Sequence, residues 1–242
     1  MFHVFNKTMR YLFTTLLLSL SFFGSAQLGK LTPEILWGMK RISGGTLSPD
    51  GKYLLYSQRI FDVDKNKGNT DLFIIKLEDN STIQITNTAF SEFDAQWGSD
   101  NNIWFLSTEN NGVQVWKINA DGTGKNQVSN FQDKEIEGFK LSPDVKKILT
   151  IESVPYKQTV NQIYNDLPLA NARIEDDLMY RHWDHFDDYK KRHLILYDID
   201  NGLNTILGSG IDILNGEPYD GILPPMGGSE QFTFSSDNKK II

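Results

Sequence analysis

LSPDGKYLLYS, residues Leu47–Ser57, sets four turn-forming residues directly ahead of a β-rich run. In Ser-Pro-Asp-Gly the proline has φ already near its turn value, the aspartate side chain bonds nearby backbone, and glycine admits positive φ. Related strings recur as WGSDNNIWFLS (Trp97–Ser107), LSPDVKKILTI (Leu141–Ile151) and FSSDNKKII (Phe234–Ile242). Aligned on Asp50, Asp100, Asp144 and Asp237, they stand 50, 44 and 93 residues apart. A four-stranded blade of a β-propeller takes about 40–50 residues. The first two intervals therefore each hold one blade.

Each turn is followed by a second pair of alternating runs: DLFIIKL and TIQITN after the first, VQVWKIN and the stretch near Val128 after the second. Asp121-Gly122 and Asn201-Gly202 are dipeptides suited to mirror-image hairpin turns. The 93-residue interval divides into an opening half-blade, SPDVKKILTIES, and a closing half, RHLILYDIDNGLNTILGS, with residues 155–192 inserted between them. Within that insertion Leu169, Ile174, Leu178 and Trp183 follow a loosely helical spacing, which predicts one or two short helices. The expected fold is all-β: an incomplete β-propeller of about three and a half blades, with a short helical insertion in the third.

Residues 1–26 have the order of an export signal: Lys7 and Arg10, an apolar run YLFTTLLLSLSFF, then small residues before Gln27. The run is short against the ~20 residues of a membrane span, so cleavage, a periplasmic or secreted location and no stable membrane span are expected. A partial propeller domain would occupy residues 27–242. Removing the signal costs two basic residues and takes the net charge from −7 to −9, which argues against nucleic acid as a partner. The chain has no cysteine, which excludes a disulfide framework and any thiolate metal site.

Three stretches carry a family resemblance: LTPEILWGMKRISGGTLSPDGKYLLYS (Leu31–Ser57), DLMYRHWDHF (Asp177–Phe186) and PPMGGSEQFTFSSD (Pro224–Asp237). Together they resemble secreted bacterial members of the prolyl oligopeptidase family of serine peptidases, in the dipeptidyl-peptidase V and acylaminoacyl-peptidase branch. The resemblance extends over residues 31–242. It implies an N-terminal propeller followed by an α/β-hydrolase domain whose nucleophilic serine lies in G-x-S-x-G. No G-x-S-x-G occurs in this sequence, and no catalytic residue is assigned; His182, His185 and His193 are not placed to replace the triad. The catalytic domain is therefore expected to be absent from this chain.

In related dipeptidyl peptidases, acidic residues on a propeller insertion hold the substrate's free α-amino group. The resemblance gives that role to Glu175, Asp176 and Asp177, with Arg181 beside the cavity. The competing reading of the three acids is a solvated helical turn complementing the helix dipole. Glu230 in GGSEQF, just ahead of an inner strand at the end of a blade whose loops line a propeller's channel, is a further candidate substrate contact. His182, Asp184, His185, Asp187 and Asp188 include metal-ligand types but have no remote partner ligand, and no metal is expected. DVDKNKG at Asp62 imitates a calcium loop, yet Lys67 and Phe73 stand at the sixth and twelfth positions, so a polar hairpin loop between Ile60 and Leu72 is expected.

The resulting expectation is the substrate-gating propeller part of an exported serine exopeptidase. It would act on short peptides through the hydrolase domain, need no cofactor, and be inactive alone. A TolB-like periplasmic binding module without enzymatic activity is the alternative.

Overall fold

The computed structural model describes residues 30–242 except 171, 176–180, 183–184, 187–188, 201, 204 and 224–225, and gives the backbone alone at 181, 182, 185 and 186. The expected signal, residues 1–26, lies outside the described residues. The chain divides into two units, Met1–Met39 and Lys40–Ile242. In the first, helix α1 (Pro33–Gly38) starts where Thr32 Oγ1 accepts the Ile35 N–H, with Pro33 in the first turn. No described helix is long and apolar enough to cross a membrane.

The second unit carries three antiparallel sheets of four strands. The first runs β1 (Arg41–Leu47), β2 (Tyr53–Asp62), β3 (Lys67–Lys76) and β4 (Thr82–Gln84) in that order. The second repeats it with β5 (Glu92–Trp97), β6 (Asn102–Ser107), β7 (Gln114–Asn119) and β8 (Asn126–Gln127). The third joins β9 (Ile136–Leu141), β10 (Lys147–Pro155), β13 (Lys190–Asp200) and β14 (Thr205–Asp212). Beyond it, Thr233 and Ile242 exchange backbone hydrogen bonds and Phe234 bridges Ile241, forming a terminal hairpin. The expected all-β class, with four-stranded antiparallel units, is what the structure has.

The repeated turn keeps one plan at its four occurrences, with a closing hydrogen bond of shorter sequence span in the second. In the three serine turns the serine N–H bonds the carbonyl five residues on (Ser48 to Tyr53, Ser142 to Lys147, Ser235 to Lys240), whereas Gly98 N–H bonds the Asn102 carbonyl four residues on. In all four the N–H of the fourth residue bonds the carbonyl of the first. The fourth residue is left-handed each time: Gly51, Asn101, Val145 and Asn238, with φ of 69°, 58°, 54° and 61°. In three of the turns a serine hydroxyl (Ser48, Ser142, Ser235) donates to the aspartate two residues on and accepts from the next strand. Those hydroxyls hold Asp50, Asp144 and Asp237 below the usual carboxylate range. Where Gly98 replaces serine, the Trp104 indole donates to Asp100 instead, at 3.3 Å.

The sheets pack face to face, with side chains alternating between two cores. On β6, Ile103 and Phe105 join Leu55, Leu72 and Ile74 of the first sheet, whereas Trp104 and Leu106 join Ile148, Ile195 and Tyr197 of the third. A strand buried on both faces reads as an unbroken apolar run, and IWFL is such a run. The opposite face of the third sheet packs Leu149, Ile151 and Leu194 against Phe234 of the terminal hairpin and Phe232 just ahead of it.

The structure departs from expectation at four places. Helix appears in the insertion at α2 (Val160–Ile163), where the Thr159 N–H bonds Gln162 Oε1; Leu169 and Ile174 stand outside any helix, while Leu178 and Trp183 lie outside the described residues. Residues 172–175 have no regular structure, and β11 (Arg181–His182) pairs with β12 (His185–Phe186). The five-residue spacing from Leu169 to Ile174 fails to keep one helical face, and Pro168 further discourages continuation of a helix from its N-terminal side. The β10–β13 ladder extends to Pro155↔Lys190, so the segment between those strands is 156–189. Strands β2 and β3 reach Asp62 and Lys67, which shortens the DVDKNKG loop to four residues. At Asp121-Gly122 only Gly122 has positive φ, 81°, whereas a mirror-image turn of the Asp-Gly kind requires it at both central residues.

Candidate functional site

The first strands of the three sheets are each interrupted by a bulge. The register slips between Ser43 and Thr46 on β1, between Phe93 and Gln96 on β5, and at Glu137 on β9, which lies between the paired Ile136 and Gly138. A bulge bends its strand and turns the extra side chain away from the ladder. Here it brings Gly44 and Gly45, Asp94 and Ala95, and Glu137 to one cleft of about 340 Å³, completed by Tyr56, Ser57 and Gly228–Glu230.

Asp94 ties three segments together. Its backbone is left-handed (φ 48°). Its Oδ2 accepts the Phe139 N–H of β9 at 2.8 Å, and its Oδ1 accepts the Ser229 hydroxyl at 2.8 Å. Gly138 permits this approach, since a Cβ there would lie 3.0 Å from Ile151 Cδ1 and 3.2 Å from Asp94 Oδ2. Burial pushes the Asp94 carboxyl up, against the lowering effect of both hydrogen bonds and of Lys140, and Glu230 adds to the rise. Glu230 closes the short 3₁₀ turn Ser229–Gln231 by accepting the Gly228 N–H at 2.9 Å. Glu137 faces Arg192 Nη1 at 3.4 Å, a guanidinium shared with Asp220.

The cleft thus gathers three carboxylates from separate parts of the chain, with one arginine at its edge. It suits a small cation or the amino end of a ligand, held by charge-assisted hydrogen bonds. Of the residues expected from sequence, Glu230 lines this cleft. Glu175 does not: its carboxylate pairs with Arg173 at 3.0 Å within the insertion. Asp176 and Asp177 lie outside the described residues, as do Trp183, Asp184, Asp187 and Asp188, and at Arg181 only the backbone is described, in β11. Asp94 and Glu137 were not anticipated. The one signal was the Gly44-Gly45 pair inside a strand; EFDAQW alternates without a break, so Asp94 carries no mark of its bulge.

A second cavity, of about 280 Å³, lies at the far end of the third sheet, lined by His193, Asp212, Glu217 and Tyr156 among others. His193 is buried, its Nδ1 2.8 Å from Asp212 Oδ2, and its Nε2 has no hydrogen-bond partner among the described residues.

No family model matches the sequence. Among curated proteins, it is 37% identical over 212 residues to a dipeptidyl-peptidase 5 of Porphyromonas gingivalis, covering 87% of this chain and 30% of that protein. The chain is a partial relative of the dipeptidyl-peptidase 5 proteins. The similarity lies in their N-terminal region. The dipeptidyl-peptidase 5 of Porphyromonas endodontalis is 27% identical over 218 residues, covering 90% of this chain and 31% of its own length. The chain thus spans about 30% of the length of these dipeptidyl-peptidase 5 relatives. Among solved structures, the acylaminoacyl peptidase of Pyrococcus horikoshii superposes with a TM-score of 0.51 at 16% identity, covering 72% of this chain and 25% of that one. That likeness bears on the fold alone, and it agrees with stacked four-stranded sheets like those of peptidase N-terminal domains.

Proposed function

We propose that this chain is the substrate-gating propeller part of an exported serine exopeptidase of the dipeptidyl-peptidase 5 kind. In this reading the three sheets are complete blades, the hairpin Thr233–Ile242 opens a fourth, and residues 1–26 direct export. The intact protein would cleave peptides by acyl transfer through a serine on a hydrolase domain. The convergence of Asp94, Glu137 and Glu230 on one cleft beside the first strands carries the reading. Three carboxylates offset by one guanidinium favour a peptide's free ammonium over an acylated amine, and each charge-assisted hydrogen bond is worth about 1.5–3 kcal/mol. Such a contact fixes the distance from the amino terminus to the bond being cut.

Calorimetric titration of the chain with a dipeptide amide and its N-acetylated counterpart tests this. The free amine is expected to bind at least about tenfold more tightly, and Glu230→Gln to remove most of that preference. Equal affinity for the two ligands would overturn the assignment of the cleft. Chromogenic dipeptidyl and acylaminoacyl substrates should not be turned over by this chain; turnover persisting through purification to homogeneity would refute the division of labour.

A further inference from the structure

Sheets one and two carry the same buried polar lock at the same register. In sheet two, Gln114 at the start of β7 accepts the Ser129 hydroxyl at 2.7 Å and the Phe131 N–H at 2.9 Å, while Ser129 Oγ accepts the Val115 N–H at 2.8 Å. In sheet one, Asp71, Thr86 and Thr88 occupy the corresponding places. Thr86 Oγ1 accepts the Leu72 N–H at 2.9 Å, but Asp71 Oδ1 stands 3.4 Å from both the Thr86 hydroxyl and the Thr88 N–H. A carboxylate has replaced the amide, and its hydrogen bonds are longer.

Beside this loosened lock lies a second carboxylate. Glu92, at the start of β5, is 0% exposed. Its Oε1 accepts the Thr88 hydroxyl at 2.7 Å, and its buried Oε2 has no hydrogen-bond partner among the described residues. Lys125 gives only partial compensation. Its Nζ lies 3.9 Å from Glu92 Oε1 but is bonded to Glu109 and sits over the Trp116 ring at 4.7 Å. Fully ionised, Asp71, Glu92, Glu109 and Lys125 together carry two net negative charges in the seam between two sheets. A buried carboxylate oxygen without a partner is costly, and two such charges match one divalent ion.

We propose that Asp71 and Glu92, with the hydroxyls of Thr86 and Thr88, form a binding site for a hard divalent cation of the calcium class, joining sheet one to sheet two. All four donors are oxygens, which disfavours soft metals that take sulfur or imidazole. No three His, Cys, Asp or Glu side chains converge to hold a metal among the described residues. The donor set is therefore two carboxylates completed by neutral oxygens, a mixture that calcium's loose six- to eight-fold shell accepts better than the strict octahedron of magnesium. The site is separate from the cleft of Asp94, Glu137 and Glu230, and does not depend on the peptide reading.

The test is thermal unfolding of the chain in EDTA, in CaCl2 and in MgCl2 at constant ionic strength, with calorimetric titration of CaCl2 alongside. At a hundredfold excess over Kd, calcium is expected to raise the midpoint by roughly 5–10 °C, with one ion bound per chain and a smaller rise from magnesium. Glu92→Gln keeps the shape of the side chain, and Asp71→Asn restores the amide chemistry of sheet two; both should abolish the calcium response. Should either variant fail to fold, the titration of the unaltered chain decides alone. A midpoint flat to within about 1 °C and no heat up to about 10 mM calcium, an equal response to magnesium, or a response retained in Glu92→Gln would overturn the proposal.

Discussion

Replacing Asp94 in two ways separates its hydrogen bonds from its charge. Asp94→Ala leaves the Phe139 N–H of β9 without its 2.8 Å acceptor, costing about 1–3 kcal/mol for an unsatisfied donor. The left-handed backbone at φ 48° adds roughly 1 kcal/mol for alanine, while relief of the buried charge returns on the order of 1 kcal/mol. The net loss of about 1–3 kcal/mol should lower the unfolding midpoint by roughly 2–12 °C. Asp94→Asn behaves differently, because asparagine tolerates positive φ, its oxygen can accept from Phe139, and its amide can donate to Ser229 Oγ. It should lie within about 1 kcal/mol of the parent chain at neutral pH, or above it.

The pH dependence has a definite sign. Burial raises the native pKa of Asp94 above its unfolded value near ~3.9. The stability contributed by its protonated form is full below that value and is lost as pH rises through the raised native pKa. Since asparagine does not titrate, Asp94→Asn should gain stability relative to the parent across that window and hold the gain above it. Urea unfolding at a series of pH values measures both effects. Asp94→Ala matching the parent chain, or Asp94→Asn falling as far as Asp94→Ala, would refute the account of Asp94 as a buried, doubly bonded strut.

Gly138→Ala should cost about 1–3 kcal/mol by crowding Ile151 and Asp94, read as a lower urea midpoint. Gly51→Val should destabilise by about 1–2 kcal/mol, since its Cβ meets nothing within 4 Å to repay the left-handed strain. Val145 sits in the equivalent backbone position but is buried in the core, so Val145→Gly should come out near zero: about 1–2 kcal/mol of strain released against a similar loss of burial. Gln114→Ala removes one buried amide that meets the Ser129 hydroxyl and both the N–H and the carbonyl of Phe131, and should cost about 3 kcal/mol in chemical unfolding.

The turns were legible because their chemistry is local: Ser48, Asp50 and Gly51 each meet a requirement set within five residues. The stacking of sheets was legible too, since IWFL has no polar face and needs a neighbour on either side. The cleft was only partly so. Glu230 stood out beside a glycine pair, but Asp94 and Glu137 acquire their places from bulges, which depend on pairing with partner strands and leave a faint mark in the chain. The insertion does hold a short helix, but where Thr159 and Gln162 provide a cap and not at Leu169 or Ile174, whose five-residue spacing does not keep one helical face.

The alternation along β6 has a mechanical consequence. Because Phe105 belongs to one core and Trp104 to the other, and among the described residues no core cluster joins the first sheet directly to the third, apolar cohesion passes between neighbouring sheets, with the Asp94–Ser229 hydrogen bond reaching past the third. Such a stack behaves like a one-dimensional chain of coupled units. The second sheet, held from both faces, should be the last to open, and its β6 amides should set the slow limit of hydrogen exchange. Loosening either flank would then be felt at the cleft, whose Asp94 springs from that same central sheet.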